Sequence, residues 1–128
     1  MDLNQITIPC KDYRLSVDFY VHLGLRQIVD SPPEYARFET ESWTTLSIHK
    51  VEPSDFGSGV AIYFEVEDVD ATVRELEDAG IEFESGPVDQ AWLWREAYLK
   101  DPAGNAVCIY HAGQNRRYPP WRIEGEAV

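Results

Sequence analysis

Two cysteines, one methionine and three histidines are all that this chain of 128 residues offers of the side chains most used for disulfides and soft-metal sites. Cys10 and Cys108 are too few and too far apart for a disulfide framework or a paired-cysteine motif, so both are expected to be reduced thiols. Long apolar runs are missing too. No stretch approaches the roughly 18 apolar residues of a membrane span, and the opening MDLNQITIPCKD lacks the basic and apolar regions of a secretion signal. The expected location is the cytoplasm, with no membrane partner. Positive charge is the third scarcity: 11 Lys and Arg against 23 Asp and Glu leave a net charge of -12. That field repels a phosphate backbone, which excludes nucleic acid as a natural partner and favours a neutral or cationic ligand over a polyanion.

What the chain does hold is ordinary for one globular domain, with 44% hydrophobic and 27% charged residues. A domain of this length buries roughly two thirds of its unfolded surface, so a real core is possible without staples.

The sequence repeats itself once. Asp12 to Leu25, DYRLSVDFYVHLGL, and Asp68 to Ile81, DVDATVRELEDAGI, align at a constant offset of 56. In both copies an Asp and then Ser16 or Thr72 open a helical pattern. Val17, Tyr20 and Leu23 match Val73, Leu76 and Ala79 on one face, and Gly24 matches Gly80 where a left-handed residue closes a helix. Upstream, Gln5 to Ile8 align with Ala61 to Phe64 as alternating strands. Three further strands are predicted after each helix, at residues 25–30, 35–40 and 43–49, then at 81–85, 93–100 and 105–111, with DPAG at 101–104 as a tight turn. The spacing predicts two βαβββ modules in a single domain: residues 1–50, a linker at 51–59, residues 60–111, and a tail at 112–128. Prolines exclude regular structure from the tail, and its Tyr118 and Trp121 suggest that it docks.

FYVHLGL closing the first helix, FEVEDVDATVREL opening the second and DPAGN before the last strand together resemble the vicinal oxygen chelate superfamily of glyoxalases, bleomycin-resistance proteins and extradiol dioxygenases, over about residues 3 to 111. The resemblance implies an α+β fold in which the two modules form a curved, mixed-sheet half-barrel with a ligand or metal site on its concave face. It also implies a homodimer. Strand parity then sends Ile6, Ile8, Leu46, Ile48, Ile62, Phe64, Val66, Leu99, Val107 and Ile109 toward the helices. Gln5, Thr7, Thr45, Ser47, His49, Ala61, Tyr63, Glu65, Trp94, Glu96, Tyr98, Cys108 and Tyr110 go to the groove.

Metal-dependent members resemble one another in carrying His, Gln or Glu at four positions that here match Gln5, Ser47, Ala61 and Cys108. Ala61 has nothing to coordinate with and Ser47 is a poor donor, so the usual site is broken and no cofactor is expected. The alternative is a divalent ion held at a displaced site by Gln5, His49 and Glu65, with Glu96 as a substitute carboxylate. His111 is a candidate for orienting the tail or a ligand, and Arg116 and Arg117 for stapling the tail to acidic surface.

The densest unusual stretch is AWLWREAYLKDP, residues 91 to 102. Tyr63, Trp92, Trp94, Tyr98, Cys108 and Tyr110, with Glu65 supplying negative charge, are the expected ligand contacts. Glu96 is the candidate general base, on the expectation that burial raises its pKa, while Arg95 turns to the other side and pairs with an acid. Cys108 is weighed as a nucleophile against a buried thiol. The leading expectation is a protein that binds a small organic molecule in an aromatic groove without the usual metal, similar to the bleomycin-resistance branch. Whether it is an enzyme stays open. If it is one, a metal-dependent lyase or isomerase of the lactoylglutathione lyase type is expected rather than a dioxygenase, which needs two histidines and a carboxylate around iron.

Overall fold

A computed structural model describes residues 4–52 and 60–122. Most of the predicted linker and the end of the predicted tail therefore lie outside the described residues. The element order is β1 (Gln5–Cys10), α1 (Tyr13–Leu23), β2 (Arg26–Ser31), β3 (Tyr35–Glu39), β4 (Thr45–Lys50), β5 (Ala61–Glu65), α2 (Val69–Asp78), β6 (Ser85–Asp89), β7 (Arg95–Lys100) and β8 (Ala106–His111), followed by one 3-10 turn, Gly113–Asn115. This is βαβββ twice. The sheet orders repeat as well, β1-β4-β3-β2 and β5-β8-β7-β6.

The duplicated residues do the same work in both copies. Asp12 accepts a hydrogen bond from Leu15 N at the start of α1, and Asp68 accepts one from Ala71 N at the start of α2. Each satisfies an amide that the helix leaves free. At the other ends Gly24 and Gly80 adopt φ of 113° and 95°, a left-handed geometry that a Cβ would strain. Tyr13, Val17 and Tyr20 form the buried stripe of α1, and Val69, Val73 and Leu76 that of α2. Leu23 and Ala79, expected on the same faces, are half-buried and exposed.

The described chain falls into two compact units that depart from the sequence modules: the first takes in residues 100–107 as well as the chain up to 62, and the second takes residues 63–99 and those from 108 on. Asp101 is what ties residues 100–107 to the first unit. Its Oδ2 accepts from the Tyr20 hydroxyl at 2.7 Å and from Asn105 Nδ2 at 2.7 Å, and its Oδ1 accepts from Ala103 N and Asn105 N. Asn105 Nδ2 also donates to Pro9 O. Burial and the Asp101 carboxylate push the Tyr20 phenol well above its ordinary pKa, so it stays a neutral donor.

In the first sheet β1 runs parallel to β4, and β3 is antiparallel to both β4 and β2. Ile8, Ala36, Phe38, Leu46 and Ile48 are buried on one face. Ile6, expected among them, is 37% exposed, because it lies near the start of an edge strand. β6 also lies further along the chain than expected. A strand predicted at 81–85 is found at Ser85–Asp89, where it pairs antiparallel with β7 through a register shift between Ser85 and Val88. Gly86 and Pro87 occupy that irregularity, which an edge strand tolerates.

Candidate functional site

The second unit carries the aromatic wall. Tyr63 on β5 is its hub: its ring meets Trp94 at 6.0 Å, Tyr98 at 6.5 Å and Tyr110 at 5.5 Å, each nearly edge-on. Trp94 in turn stacks on Tyr110 at 4.8 Å with 27° between the planes. Alternation explains the assembly: Trp94, Glu96 and Tyr98 share one face at β7, and Cys108 and Tyr110 share one at β8. The Tyr63 and Tyr98 hydroxyls lie 3.1 Å apart.

Glu96 sits within this wall at 2% exposure. Its Oε2 accepts from Trp92 Nε1 at 3.1 Å, while its buried Oε1 has no hydrogen-bond partner. An orphaned carboxylate oxygen at this depth is costly, which favours a ligand or solvent donor there. Tyr63 and Trp92 are each 44% exposed and form the open part of the wall. Arg95 faces the other way, as alternation requires, donating to both Asp70 oxygens and to Asp89 Oδ1.

Two of the expected contacts have other roles. Cys108 is completely buried beneath the rings, in a cluster with Tyr110 and Ala112 against which Trp94 and Tyr98 pack. Burial and then the Glu96 charge push its thiol up to about 12, so it is no nucleophile near neutral pH. Glu65 is a tail anchor: Oε2 accepts from Ala112 N at 2.8 Å and Gly113 N at 2.9 Å, with His111 Nδ1 3.8 Å and Arg116 Nε 3.9 Å from the carboxylate. His111 Nδ1 also lies 2.8 Å from Val66 O.

The tail thus docks through its backbone. Trp94 Nε1 completes the latch by donating to Asn115 O at 3.2 Å. Tyr118 and Trp121, the expected docking side chains, are both 57% exposed, and Arg122 lies over the Tyr118 ring. Burial pushes the Glu65 carboxyl up, but the two amides, His111 and Arg116 outweigh it and hold it below its ordinary 4.5. With the folded value depressed, Glu65 stabilises the latch above the ordinary carboxylate range, and that contribution is lost as pH falls through the folded value. In an NMR titration the Ala112 and Gly113 amides should move together with an apparent pKa below 4.5. Amides that titrate independently of each other would contradict the latch.

The first unit has a polar face instead. Register places Thr7, Ser47 and Arg37 in one row across β1, β4 and β3, with Gln5, Thr45 and Glu39 in the next and Pro9, His49 and Tyr35 on the other side. Gln5 Nε2 donates to Ser47 Oγ at 3.0 Å, and Gln5 Oε1 accepts from Thr45 Oγ1. Ser47 Oγ is 2.6 Å from the Tyr35 hydroxyl, which accepts from Arg37 Nε at 2.9 Å. Burial pushes the Tyr35 phenol up, but the bonds from Ser47 and Arg37 and the Arg37 charge prevail and hold it below its ordinary value. Tyr35 and Arg37 were missed in the sequence, although the alternation in YARFE singles them out from Ala36 and Phe38.

These residues do not fit a divalent cation. Gln5 and Ser47 do meet, but the amide oxygen a metal would use is already engaged. The displaced trio fails as well. Gln5 lies opposite Thr45 and His49 opposite Pro9, so the two are four residues apart along parallel strands, about 13 Å. Glu65 is taken up by the tail. Among the described residues no group of three or more His, Cys, Asp and Glu is gathered as an ion would need.

Fold and sequence converge on one class. The chain belongs to the Glyoxalase/Bleomycin resistance protein/Dioxygenase superfamily, whose model matches residues 2–109. It is 32% identical over 125 residues to the uncharacterized protein YraH of Bacillus subtilis (strain 168), covering 86% of this chain and 98% of that one. To the anthracycline biosynthesis protein DnrV of Streptomyces peucetius it is 29% identical over 120 residues, covering 80% of this chain but only 44% of that longer protein. Among solved structures, lactoylglutathione lyase from Agrobacterium tumefaciens shares the fold with a TM-score of 0.73 at 17% identity, covering 86% of this chain and 92% of that one. No helix among the described residues is long and apolar enough to cross a membrane.

Proposed function

We propose that the protein binds a small, planar organic molecule on the aromatic wall of the second unit, without a metal ion and without transforming its ligand. The observation that carries this reading is the pairing of two open rings, Tyr63 and Trp92, with a buried carboxylate oxygen on Glu96 that has no partner. Rings supply stacking area, and the orphaned oxygen selects a ligand carrying a donor or a positive charge. The net charge of -12 favours the same ligands over anions at this wall. The likeness to DnrV, named for anthracycline biosynthesis, supports a polycyclic aromatic ligand. Reduced, buried Cys10 and Cys108 suit a cytoplasmic protein, and homodimerisation belongs to the same proposal.

A metal-assisted lyase is the competing reading, and the separation of Gln5 from His49 weakens it. The deciding experiment measures the metal content of untagged protein by elemental mass spectrometry and titrates it with proflavine, a planar cation, following tryptophan emission. Metal-free protein with saturable quenching is expected. Stoichiometric bound metal, or no quenching up to the solubility of the dye, would overturn the proposal.

A further inference from the structure

We propose that the polar face of the first unit binds a single oxyanion, a carboxylate or a phosphate group, held by Arg37 and the Tyr35 hydroxyl, with the fully buried Ser47 supporting that hydroxyl from within. Tyr35 and Ser47 bring two hydroxyl hydrogens, and their mutual bond uses one. Ser47 Oγ also receives a proton from Gln5 Nε2, and the Tyr35 oxygen receives one from Arg37 Nε. Whichever way the central bond points, one hydroxyl hydrogen is left without an acceptor. The network therefore ends in a surplus donor.

Beside that donor lies a guanidinium with only one of its three nitrogens engaged. Arg37 uses Nε on Tyr35 and stands over the same ring at 5.5 Å, which fixes the fork, while Nη1 and Nη2 make no hydrogen bond or ion pair with the described residues. In a chain with 23 acidic residues this guanidinium has no carboxylate within salt-bridge distance among the described residues. Glu39, two residues along the same face, lies 3.8 Å from Arg26 instead. A rigid planar fork next to a free hydroxyl donor matches a carboxylate or phosphate, and it matches a cation not at all. Two of the four positions at which the resemblance places metal ligands, Gln5 and Ser47, are thus built into a site of the opposite charge preference. His49, exposed and directly across from Tyr35, borders the same face.

This inference stands apart from the ligand proposed for the aromatic wall, and acetate, which has no ring, tests it separately. The Arg37 Nε–H resonance of 15N-labelled protein is titrated with acetate in one arm and inorganic phosphate in the other, at constant ionic strength. A saturable shift in at least one arm is expected, with a dissociation constant on the order of millimolar, and the responding arm identifies the oxyanion. For Arg37→Gln the tyrosine and serine resonances of the site should report at least tenfold weaker binding at an unchanged melting temperature. Arg37→Lys, which keeps the charge but not the fork, should fall between. No saturable shift in either arm, undiminished binding by Arg37→Gln, or a saturable response of the Gln5 side-chain amide to zinc would each overturn the proposal.

Discussion

Trp94→Ala should lower both ligand affinity and stability, the affinity for proflavine by about tenfold, or ~1.4 kcal/mol, and the stability by about 2–3 kcal/mol in urea denaturation. The double loss follows from its place in the wall. The indole stacks on Tyr110, meets Tyr63 edge-on and donates to Asn115 O, so its removal opens a gap under the open rings and releases the tail. Trp92→Ala should weaken the dye by a similar factor without releasing the tail. Its indole is 44% exposed, and the stability it costs, about 1–3 kcal/mol, comes from stripping the buried Glu96 Oε2 of its donor. Trp94→Phe keeps a ring but not the bond to Asn115 and should fall between. If Trp94→Ala retained full affinity while destabilised as expected, the wall would be a structural element and not a binding surface.

Asp101→Ala should destabilise the protein by about 3–5 kcal/mol, the largest change expected of any single substitution outside the apolar core. Four donors lose their acceptor together: the buried Tyr20 hydroxyl, the Asn105 side chain and two backbone amides. Tyr20→Phe removes one of these donors along with its bond and should cost only about 1 kcal/mol. A urea midpoint for Asp101→Ala near that of Tyr20→Phe would show that residues 100–107 are held mainly by apolar packing.

The fold was legible because duplication doubled every local signal. Asp12 with Asp68 and Gly24 with Gly80 mark helix starts and stops at one offset, and the buried stripes between them repeat. β6 was not legible, since Ser85–Asp89 carries Gly86 and Pro87 and has neither alternation nor a second partner strand to enforce one. The aromatic wall could be read from alternation alone. Three-dimensional competition for hydrogen bonds could not. Glu65 looked like a source of free negative charge until two backbone amides of the tail claimed it, and Cys108 looked like a groove residue until the rings above it covered it. Arg37 was overlooked for a related reason. In an acidic chain an arginine reads as someone's salt-bridge partner, and only the structure reveals that it has none among the described residues.

The two hairpin tips extend the duplication in an unexpected way. Between β3 and β4, Thr40 N bonds Thr44 O and Trp43 N bonds Thr40 O; between β6 and β7, Gln90 N bonds Trp94 O and Leu93 N bonds Gln90 O. Trp43 and Leu93 hold φ of 69° and 70°, a conformation that side chains other than Gly adopt at a cost. Yet residues 40–44 and 90–94 have no residue type in common in register. The loop is written in main-chain bonds, so its side chains are free to be rewritten. One copy has spent that freedom on Trp92 and Trp94; the other presents Trp43, 87% exposed, to solvent. For protein engineering the first tip is therefore a vacant graft site, where a new sequence could be installed on a loop whose main-chain bonds recur under unrelated side chains at the second tip.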